Sequence, residues 1–523
     1  MAFGSDSSSP ADHHPRGLTG RRAWLGRLNF SSCIGLAAIA GLLLNTVFLI
    51  RHASYAVGGA DASGYARIAR SLLNGPIMLP VTELGQFNLP DEMLQDFIPI
   101  GYAPVMGTSA MTPFYPVGFP LHLALGALIA GWDYGPYLVC PIAAILSLIL
   151  IYLLGLELGL SREYSIAAAV ILGGNPTFIL MALWPMSDIV ALCWALTAVW
   201  SSLRSGKSEG WALLAGAAFG MAFLVRPINL LLLIPILLCL RLKPKTFLFF
   251  MIGGSPLAAI FFCYNTASYG HPFQTGYTVI GLYNEITSTG FTARFQHYVY
   301  WLMMTMSPLL PLGWIGVAAD RIVHWRVRAM LIAWFGTLLF FYCCYTHYNF
   351  WWYTRFLLPG YPAVVLGALL TTRDLMGWLR KSTNGRYQAW QRRIALALLL
   401  AVVFSFERHY VRLFYVAKTG EVESVNYTSC RLVEQLVPRQ ALVVSMEMSG
   451  ALKFYTDRHI VRWDVIAPNQ WQLLKDRARE RNYQFYALLM QQELDEAQKR
   501  VPGKWIQLGT VRHISLWKIE PAG

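Results

Sequence analysis

Residues 29–50 read NFSSCIGLAAIAGLLLNTVFLI and contain no charged side chain. An apolar run of about 20 residues is long enough to cross a bilayer as a helix. The preceding residues carry several arginines, and the run itself lacks a cleavage site of small residues. We therefore predict that it is a retained membrane anchor rather than a signal peptide.

Further apolar runs continue this pattern through most of the chain. The protein is 55% hydrophobic and only 13% charged, too apolar for an ordinary soluble domain. We predict a polytopic α-helical membrane protein with about 11–13 transmembrane helices. Beyond the anchor, the candidate spans lie near residues 134–156, 164–182, 186–203, 211–225, 228–242, 245–267, 300–318, 328–346, 356–372 and 392–412.

The net charge of +14 follows the predicted topology. With the N-terminus inside, the inner loops hold 19 of the 42 lysines and arginines and the outer loops hold six. This asymmetry is the positive-inside rule, so the basic charge is a topology signal and no nucleic-acid partner is predicted. We expect a multi-pass protein of the inner cell membrane, surrounded by membrane lipids.

The predicted first outer loop, residues 51–133, is unusually long. It contains two helix candidates, Ala62 to Asn74 and Val117 to Ala130, on either side of a proline-rich middle. The second candidate is short for a span, so we predict that it lies in the outer membrane interface. Long loops of this kind tend to carry function.

After about residue 416 the composition changes to that of a soluble domain. We predict a cytoplasmic, disordered tail over residues 1–28, a transmembrane domain over 29–416, and a small extracytoplasmic α/β domain over 417–523. Alternating patterns predict strands at Ala441 to Met446, Ile460 to Trp463, Gln484 to Leu489, Trp505 to Val511 and Ile514 to Ile519, with helices near Ser429 to Val437, Gln470 to Arg481 and Gln491 to Lys499.

Asp61 is the first acid after the anchor and lies in GGADASGYARIARSLLNG, residues 58–75. A carboxylate at the membrane surface can accept a proton from an acceptor hydroxyl. Asp61 is equally well placed to cap the N-terminus of a helix, since Ala-Ser-Gly-Tyr follows it. The residue alone leaves both interpretations open.

Three more charges fall at predicted outer helix ends: Asp188, Arg226 and Arg355. Ionisable groups at such depth are costly and are hypotheses for a functional site, although each alone also fits snorkelling, capping or a structural ion pair. Guanidinium groups bind phosphate oxygens bidentately, and carboxylates suit hydroxyl activation and sugar binding. Two acids and two arginines on one side therefore predict a shared site.

The loop Tyr269 to Tyr277 is also predicted outside, where tyrosine and glutamine side chains could contact a sugar, although a plain turn is as good an interpretation. His271 has no partner histidine at a metal-site spacing, so we predict no metal. The sequence contains no Walker loop, dinucleotide fingerprint or Cys/His metal pattern, and we predict no cofactor. An enzyme of this kind requires an activated lipid substrate.

Several short motifs follow one another along most of the chain: Asp61 with Tyr65, Thr112-Pro113-Phe114-Tyr115-Pro116, Ser187-Asp188, Val225-Arg226-Pro227, Tyr269-Gly270-His271-Pro272, Thr354-Arg355-Phe356-Leu357-Leu358-Pro359 and the tail segment Ser449 to Arg458. In this order the chain resembles the GT-C membrane glycosyltransferases that use polyprenyl-phosphate sugars. The resembling branch contains the protein O-mannosyltransferases and the lipid A aminoarabinose transferases.

The resemblance implies an inverting hexosyl- or pentosyltransferase that moves a sugar from a polyprenyl-phosphate donor to a lipid, glycan or protein acceptor on the outer face. Asp61 would be the general base, Asp188 a second acid, and Arg226 and Arg355 the phosphate-binding groups. Tyr65 and His271 are expected to bind substrate. Many O-mannosyltransferases have a second acid directly after the first, whereas Ala62 follows Asp61 here, which weakens the case for a protein acceptor.

Two rival functions remain open at this point. A transporter or lipid flippase would also place charges at the membrane boundary. Internal repeats and broken mid-bilayer helices are more typical of that class, and this sequence shows no internal repeat. A noncatalytic scaffold with an outer binding domain is favoured only if Asp61 and Asp188 lie far apart.

Overall fold

The computed structural model describes residues 30–240, 243–345, 350–382 and 389–521. Its described part is mainly helical, with twenty α-helices: α1 Phe30–His52, α2 Gly59–Asn74, α3 Glu83–Phe87, α4 Gly118–Glu157, α5 Arg162–Gly174, α6 Pro176–Leu183, α7 Ser187–Arg204, α8 Glu209–Val225, α9 Leu233–Leu240, α10 Pro244–Tyr269, α11 Gly276–Val279, α12 Phe291–Thr305, α13 Leu309–Ala319, α14 Trp325–Cys344, α15 Tyr361–Ser382, α16 Ala389–Leu413, α17 Thr419–Leu436, α18 Ser449–Tyr455, α19 Pro468–Glu480 and α20 Leu494–Arg500. The chain divides into two compact units, residues 1–45 and 46–523.

Six helices of the described residues are long and apolar enough to cross a membrane. Two sharply bent helix pairs raise this number to eight if each pair forms one span. The pair α5 and α6 bends by 65°, where Asn175 ends one helix and caps the next through bonds to the Thr177 and Phe178 amides. The other pair, α12 and α13, bends by 112°. The predicted polytopic helical fold is thus confirmed, with bent pairs at two of the predicted spans.

Helix α4 covers both the predicted interfacial helix and the span that follows it. Its backbone leaves helical geometry at Ala130 and at Gly131, which has a φ of +72°, a value that favours glycine. The break falls where the sequence predicted the end of the first helix. Gly126 and Gly135 approach each other so closely across it that a Cβ on either would overlap the other's backbone.

Glycine contacts also bring α8 and α10 together. A Cβ added at Gly216 would overlap the backbone of Phe250, and one added at Gly253 would overlap the backbone of Leu213. Small residues let apolar helices approach closely inside a membrane, where the hydrophobic effect does not drive helices together. This packing holds α8, whose last turn leads to Arg226, in a defined position.

The first loop after α1 contains a small antiparallel sheet of β1 Leu79–Pro80, β2 Tyr102–Pro104 and β3 Ala110–Pro113, in the order β1-β3-β2. The C-terminal region contains β4 Ala441–Val444, β5 His459–Val461, β6 Gln484–Met490, β7 Gly503–Val511 and β8 Ile514–Pro521. These five strands form a mixed sheet in the order β5-β4-β6-β8-β7, with β4 parallel to β5 and β6, and β8 antiparallel to β6 and β7. All five predicted strands are present.

One hydrophobic core joins the first loop to the C-terminal sheet. Loop side chains such as Phe87, Met93 and Phe97 are buried together with Leu442 and Trp471 from the C-terminal region. The predicted helix near Ser429 to Val437 begins earlier in the structure, because α17 starts at Thr419. The C-terminal sheet is therefore packed directly on the loop that carries α2.

Candidate functional site

The candidate site is built on α2, α7, the end of α8 and the 3₁₀ helix Trp351–Gly360. Helix α2 begins at Gly59, and its N-cap is Gly58, so Asp61 lies inside the first turn rather than at the cap. Gly59 has a φ of +57°, which favours glycine, and allows the chain to turn into the helix. Asp61 is therefore not the N-cap residue, and its side chain bonds to other elements.

Both oxygens of the Asp61 carboxylate are engaged by residues distant in sequence. The Tyr115 hydroxyl donates a hydrogen bond of 2.9 Å to Oδ1, and Arg355 Nη2 donates one of 3.2 Å to Oδ2. Burial, followed by the nearby Asp61 charge, holds the pKa of Tyr115 well above its ordinary value, so this phenol stays protonated and donates. The side chain of Asp61 nevertheless remains 41% exposed.

Asp188 forms the second half of the cluster. It lies in the first turn of α7 and is almost completely buried, with 1% of its side chain exposed. Arg226 donates to its Oδ1, and Arg355 Nη1 lies 3.9 Å from its Oδ2. Arg355 thus lies between the two acids and links Asp61 to Asp188.

The backbone around each arginine explains its position. Arg226 ends α8 in an extended conformation because the ring of Pro227, which follows it, clashes with a helical backbone at the preceding residue. Thr354, next to Arg355, bonds through its hydroxyl to that of Thr177 on α6 at 3.0 Å. The two guanidinium groups therefore project from rigid points on different elements.

Aromatic rings surround the two arginines. The Phe356 ring lies 5.2 Å from the Arg226 guanidinium and 5.4 Å from that of Arg355. The Trp184 ring lies 5.8 Å from the Arg355 guanidinium. Cations over ring faces gain electrostatic stabilisation, which increases when water is excluded.

Arg355 keeps unused hydrogen-bonding capacity. Its Nε and Nη1 are buried and have no hydrogen-bond partner among the described residues, and the same is true of Asp188 Oδ2. Buried polar groups normally find partners, so such groups require an explanation. Guanidinium N–H groups form strong charge-assisted hydrogen bonds to phosphate oxygens, so these two nitrogens remain available to such an anion.

Tyr65 lies beside the cluster but is closed off from solvent. Its side chain is buried, its hydroxyl is 3.1 Å from that of Ser187, and its ring packs against Tyr115 and Phe119 at centroid distances of 4.6 and 5.1 Å. In this structure it links α2 to the start of α7. A substrate-binding role for Tyr65 stays a prediction.

His271 is not brought to the cluster by any contact of the described residues. It is exposed in the turn after α10, where its Nδ1 accepts a hydrogen bond from the Phe273 amide at 3.3 Å. A substrate-binding role for His271 stays a prediction.

The segment Tyr269 to Tyr277, which contains His271, packs against the residues that precede Tyr115. Tyr269 donates to the carbonyl of Pro113 at 3.1 Å, and Gly276 packs so tightly on Phe114 that a Cβ would overlap its backbone. The segment Tyr269 to Tyr277 thereby buttresses the strand that aims Tyr115 at Asp61. A small pocket lies between this turn, the Phe114–Val117 segment and the ends of α8 and α10.

Tyr115 is the site residue that the sequence analysis left without a role. The signal was present, because Tyr115 belongs to the quoted motif Thr112 to Pro116. The described residues include no group of three or more His, Cys, Asp or Glu side chains arranged to hold a metal ion.

A family model described as dolichyl-phosphate-mannose-protein mannosyltransferase matches residues 115–263. That segment contains Tyr115, Asp188 and Arg226, and it ends before Arg355. Comparison with curated protein sequences gives no significant match.

Solved structures match the chain over nearly its whole length. The crystal structure of ArnT from Cupriavidus metallidurans bound to undecaprenyl phosphate has a TM-score of 0.56 at 12% identity, covering 95% of this chain and 98% of that chain. The same protein in the apo state gives 0.51 at 13% identity, with 94% and 98% covered. The oligosaccharyltransferase of Archaeoglobus fulgidus in complex with Zn and sulfate gives 0.52 at 12% identity, with 91% and 72% covered. The predicted resemblance to the GT-C glycosyltransferases is confirmed at the level of the fold.

Proposed function

We propose that this chain, which has the GT-C fold, is a membrane glycosyltransferase that moves a sugar from a polyprenyl-phosphate donor to a hydroxyl of a lipid, glycan or protein acceptor. The ArnT and oligosaccharyltransferase structures support the fold, and undecaprenyl phosphate is bound to one of them. The family match over residues 115–263 supports the donor class. The residues of the cluster supply the chemistry.

The observation that carries this proposal is the direct contact between Asp61 and Arg355, at 3.2 Å. A base for the acceptor and a cation for the departing phosphate are the two groups that this reaction requires. They meet where Asp61 is partly exposed and where two nitrogens of Arg355, Nε and Nη1, have no hydrogen-bond partner among the described residues. A donor phosphate that binds Arg355 would compete with Asp61 for the guanidinium and release the carboxylate for catalysis.

The reaction follows as a single displacement. The acceptor oxygen attacks the anomeric carbon while its proton passes to the Asp61 carboxylate. The bond between that carbon and the phosphate oxygen breaks, and its electron pair leaves with the polyprenyl phosphate. Arg355 and Arg226 stabilise the additional negative charge on the phosphate, and the anomeric configuration inverts because attack and departure occur on opposite faces.

Asp188 has a different role in this scheme. It is buried and bonded to Arg226, so it is poorly placed to meet an acceptor. Its carboxylate holds the two guanidinium groups next to each other, where their mutual repulsion would otherwise separate them. We assign it the task of fixing the phosphate-binding arginines.

We propose that the reaction occurs on the outer face of the membrane. The distribution of lysine and arginine in the loops supports an inner N-terminus and an outer cluster. Helix α18 of the C-terminal region packs on α2, since a Cβ added at Gly450 would lie 3.1 Å from Ala60 Cα. The C-terminal region therefore shares a side with Asp61. An alkaline phosphatase fused after Gly523 should be active in intact cells, and an inactive fusion with normal expression would contradict this orientation.

The test of the function uses purified protein in lipid nanodiscs with a panel of radiolabelled undecaprenyl-phosphate sugars. A fractionated membrane and cell-wall extract supplies the acceptors. We expect label to move from one donor to an acceptor fraction, with release of undecaprenyl phosphate. A transporter would bind or translocate the donor without cleaving it, so donor binding with no label transferred to any fraction would contradict the proposal.

A further inference from the structure

Glu423 of α17 reaches the start of the helix that carries Asp61. It is only 6% exposed, although it belongs to the C-terminal region. The Gly58 amide faces its carboxyl, and a Cβ added at Gly58 would overlap both Glu423 and Asn426. Gly58 is the N-cap of α2, and no side chain of its own helix caps it.

This contact supplies what the N-terminus of α2 lacks. The first amide groups of a helix have no partner within the helix, and the helix dipole places partial positive charge there. A carboxylate at this point stabilises the helix end, and it does so from an element more than 350 residues further along the chain. Asp61 follows within one turn, so its position depends on how this helix end is held.

Glu423 has a second contact on the opposite side of the cluster. The indole N–H of Trp184 faces its carboxyl. Trp184 Nε1 and Glu423 Oε2 are both buried and have no hydrogen-bond partner among the described residues. Because the Trp184 ring also lies 5.8 Å from the Arg355 guanidinium, Glu423 touches the supports of both the base and the phosphate-binding arginine.

Neighbouring contacts hold the same region from α18. The Val57 amide donates to the Tyr455 hydroxyl at 2.9 Å, and the Ile100 amide donates to Ser449 Oγ at 3.0 Å. A Cβ added at Gly450 would lie 2.9 Å from Ser63 Oγ. These contacts fix where α2 lies, whereas Glu423 alone joins the start of α2 to Trp184 among the contacts described here.

We propose that Glu423 is a positioning residue for the transfer reaction, which holds Asp61 through Gly58 and Arg355 through Trp184. This inference rests on the proposed glycosyltransferase function. Glu423 does not touch the reacting atoms, so it acts through the groups that it orients. It makes the C-terminal region a part of the catalytic machinery rather than an appended domain.

The titration of Glu423 provides a readout that a purely structural contact would lack. Burial raises its pKa to about 7, and the groups that face it are the Trp184 N–H from the end of α6 and the Gly58 N–H from the start of α2. Asn426, one turn along α17, is uncharged. The ionised carboxylate attracts both N–H groups more strongly than the neutral acid, so kcat should rise with pH through about 7 and fall as Glu423 becomes protonated.

The experiment compares Glu423→Ala and Glu423→Gln with the control Glu421→Ala, which removes an exposed acid from the same helix. Turnover and donor KM are measured from pH 5.5 to 8.5 in nanodiscs with the donor identified by the panel assay. We expect Glu423→Ala to lower kcat about 10-fold at pH 8 with the same melting temperature as the control. Glu423→Gln, which resembles the neutral acid, should show the lower turnover of the low-pH wild type at every pH and lose the transition near pH 7.

Hydrogen exchange of the peptide containing Gly58 provides a measurement that needs no activity. Exchange at Gly58 should become faster in Glu423→Ala and stay unchanged in Glu421→Ala. If the wild-type protein transfers no sugar while this exchange difference is present, the proposed function fails and the contact stands. The positioning role is overturned if folded Glu423→Ala keeps its kcat within about twofold, if Glu423→Gln retains the pH transition, or if exchange at Gly58 does not change.

Discussion

The two acid–arginine pairs of the cluster lie in different surroundings. Asp188 is 1% exposed and bonded to Arg226, whereas Asp61 is 41% exposed and bonded to Arg355. Asp188 is enclosed by membrane helices, and Asp61 lies at the start of the amphipathic helix α2. The same pair of residue types therefore occurs once as an internal contact and once at an opening.

The difference in exposure between the two pairs indicates that one stabilises the fold and the other takes part in chemistry. A buried carboxylate that loses its partner, or leaves its partner unpaired, costs much stability because the remaining charge is desolvated. In the other pair Asp61 is partly exposed, so water solvates its carboxylate when the pair separates, and the buried Arg355 keeps Asp188 nearby as an ionic partner, so this pair contributes little to stability. We infer that Asp188 maintains the cluster and that Asp61 is free to change partners during a reaction cycle.

The largest effect should come from Asp61→Asn. The amide keeps the size of the side chain but cannot accept the acceptor proton, so transfer should fall at least about 10²-fold. Its melting temperature should stay near that of the wild type. The control is Asp91→Asn, an exposed acid in the same loop, and near-normal turnover by Asp61→Asn would remove Asp61 from the chemistry.

A comparable effect, on stability this time, is expected for Asp188→Ala. The change leaves Arg226 without its buried partner, and we expect a loss of about 3–5 kcal/mol in the free energy of unfolding. Asp61→Ala is the matched comparison and should cost less than about 1 kcal/mol. Thermal or denaturant unfolding in detergent measures both, and equal losses for the two variants would remove the distinction between the pairs.

Arg355→Lys tests whether the planar guanidinium group of the Asp61–Arg355 pair is needed to bind the donor phosphate. Lysine keeps the charge but loses the two parallel N–H groups, so the donor KM should rise about 10-fold while the protein folds normally. The exposed Arg326→Lys, at the start of α14, serves as the control. An unchanged KM for the donor would show that the guanidinium does not bind the phosphate.

The smallest effect should come from Tyr115→Phe. Removing the hydroxyl deletes the 2.9 Å hydrogen bond to Asp61 Oδ1, and one such bond contributes about 1 kcal/mol. We expect kcat to fall about fivefold, with donor KM unchanged, because only the orientation of the base is affected. Tyr134→Phe, at an exposed ring, controls for the loss of a phenol, and a loss as large as that of Asp61→Asn would give Tyr115 a direct role.

Much of this arrangement was predictable from the sequence. Hydropathy and the order of motifs were sufficient for the helical class, the C-terminal strands and the grouping of Asp61, Asp188, Arg226 and Arg355, because charges at helix ends are costly and few. The break in α4 was also predicted, whereas the helix break at Asn175 depends on a capping side chain and a proline that hydropathy does not report.

The contacts that orient the cluster were beyond sequence analysis. The bond from Tyr115 to Asp61 and the approach of Glu423 to Gly58 join residues far apart in the chain. A local pattern contains no information about such partners. In the sequence Glu423 is no different from the exposed Glu421 on the same helix, and only the packing shows that Glu423 is buried.

The hydrophobic core shared by the first loop and the C-terminal sheet also has a consequence for synthesis. The loop leaves the ribosome early, but partners such as Leu442, Trp471 and Tyr455 are translated more than 300 residues later. Closing so long a stretch of chain is slow, and the loop waits with its apolar face uncovered until the last segment has been made. In the function proposed above, the site can be completed only after this last segment has been translated, so we expect prematurely terminated chains to be inactive.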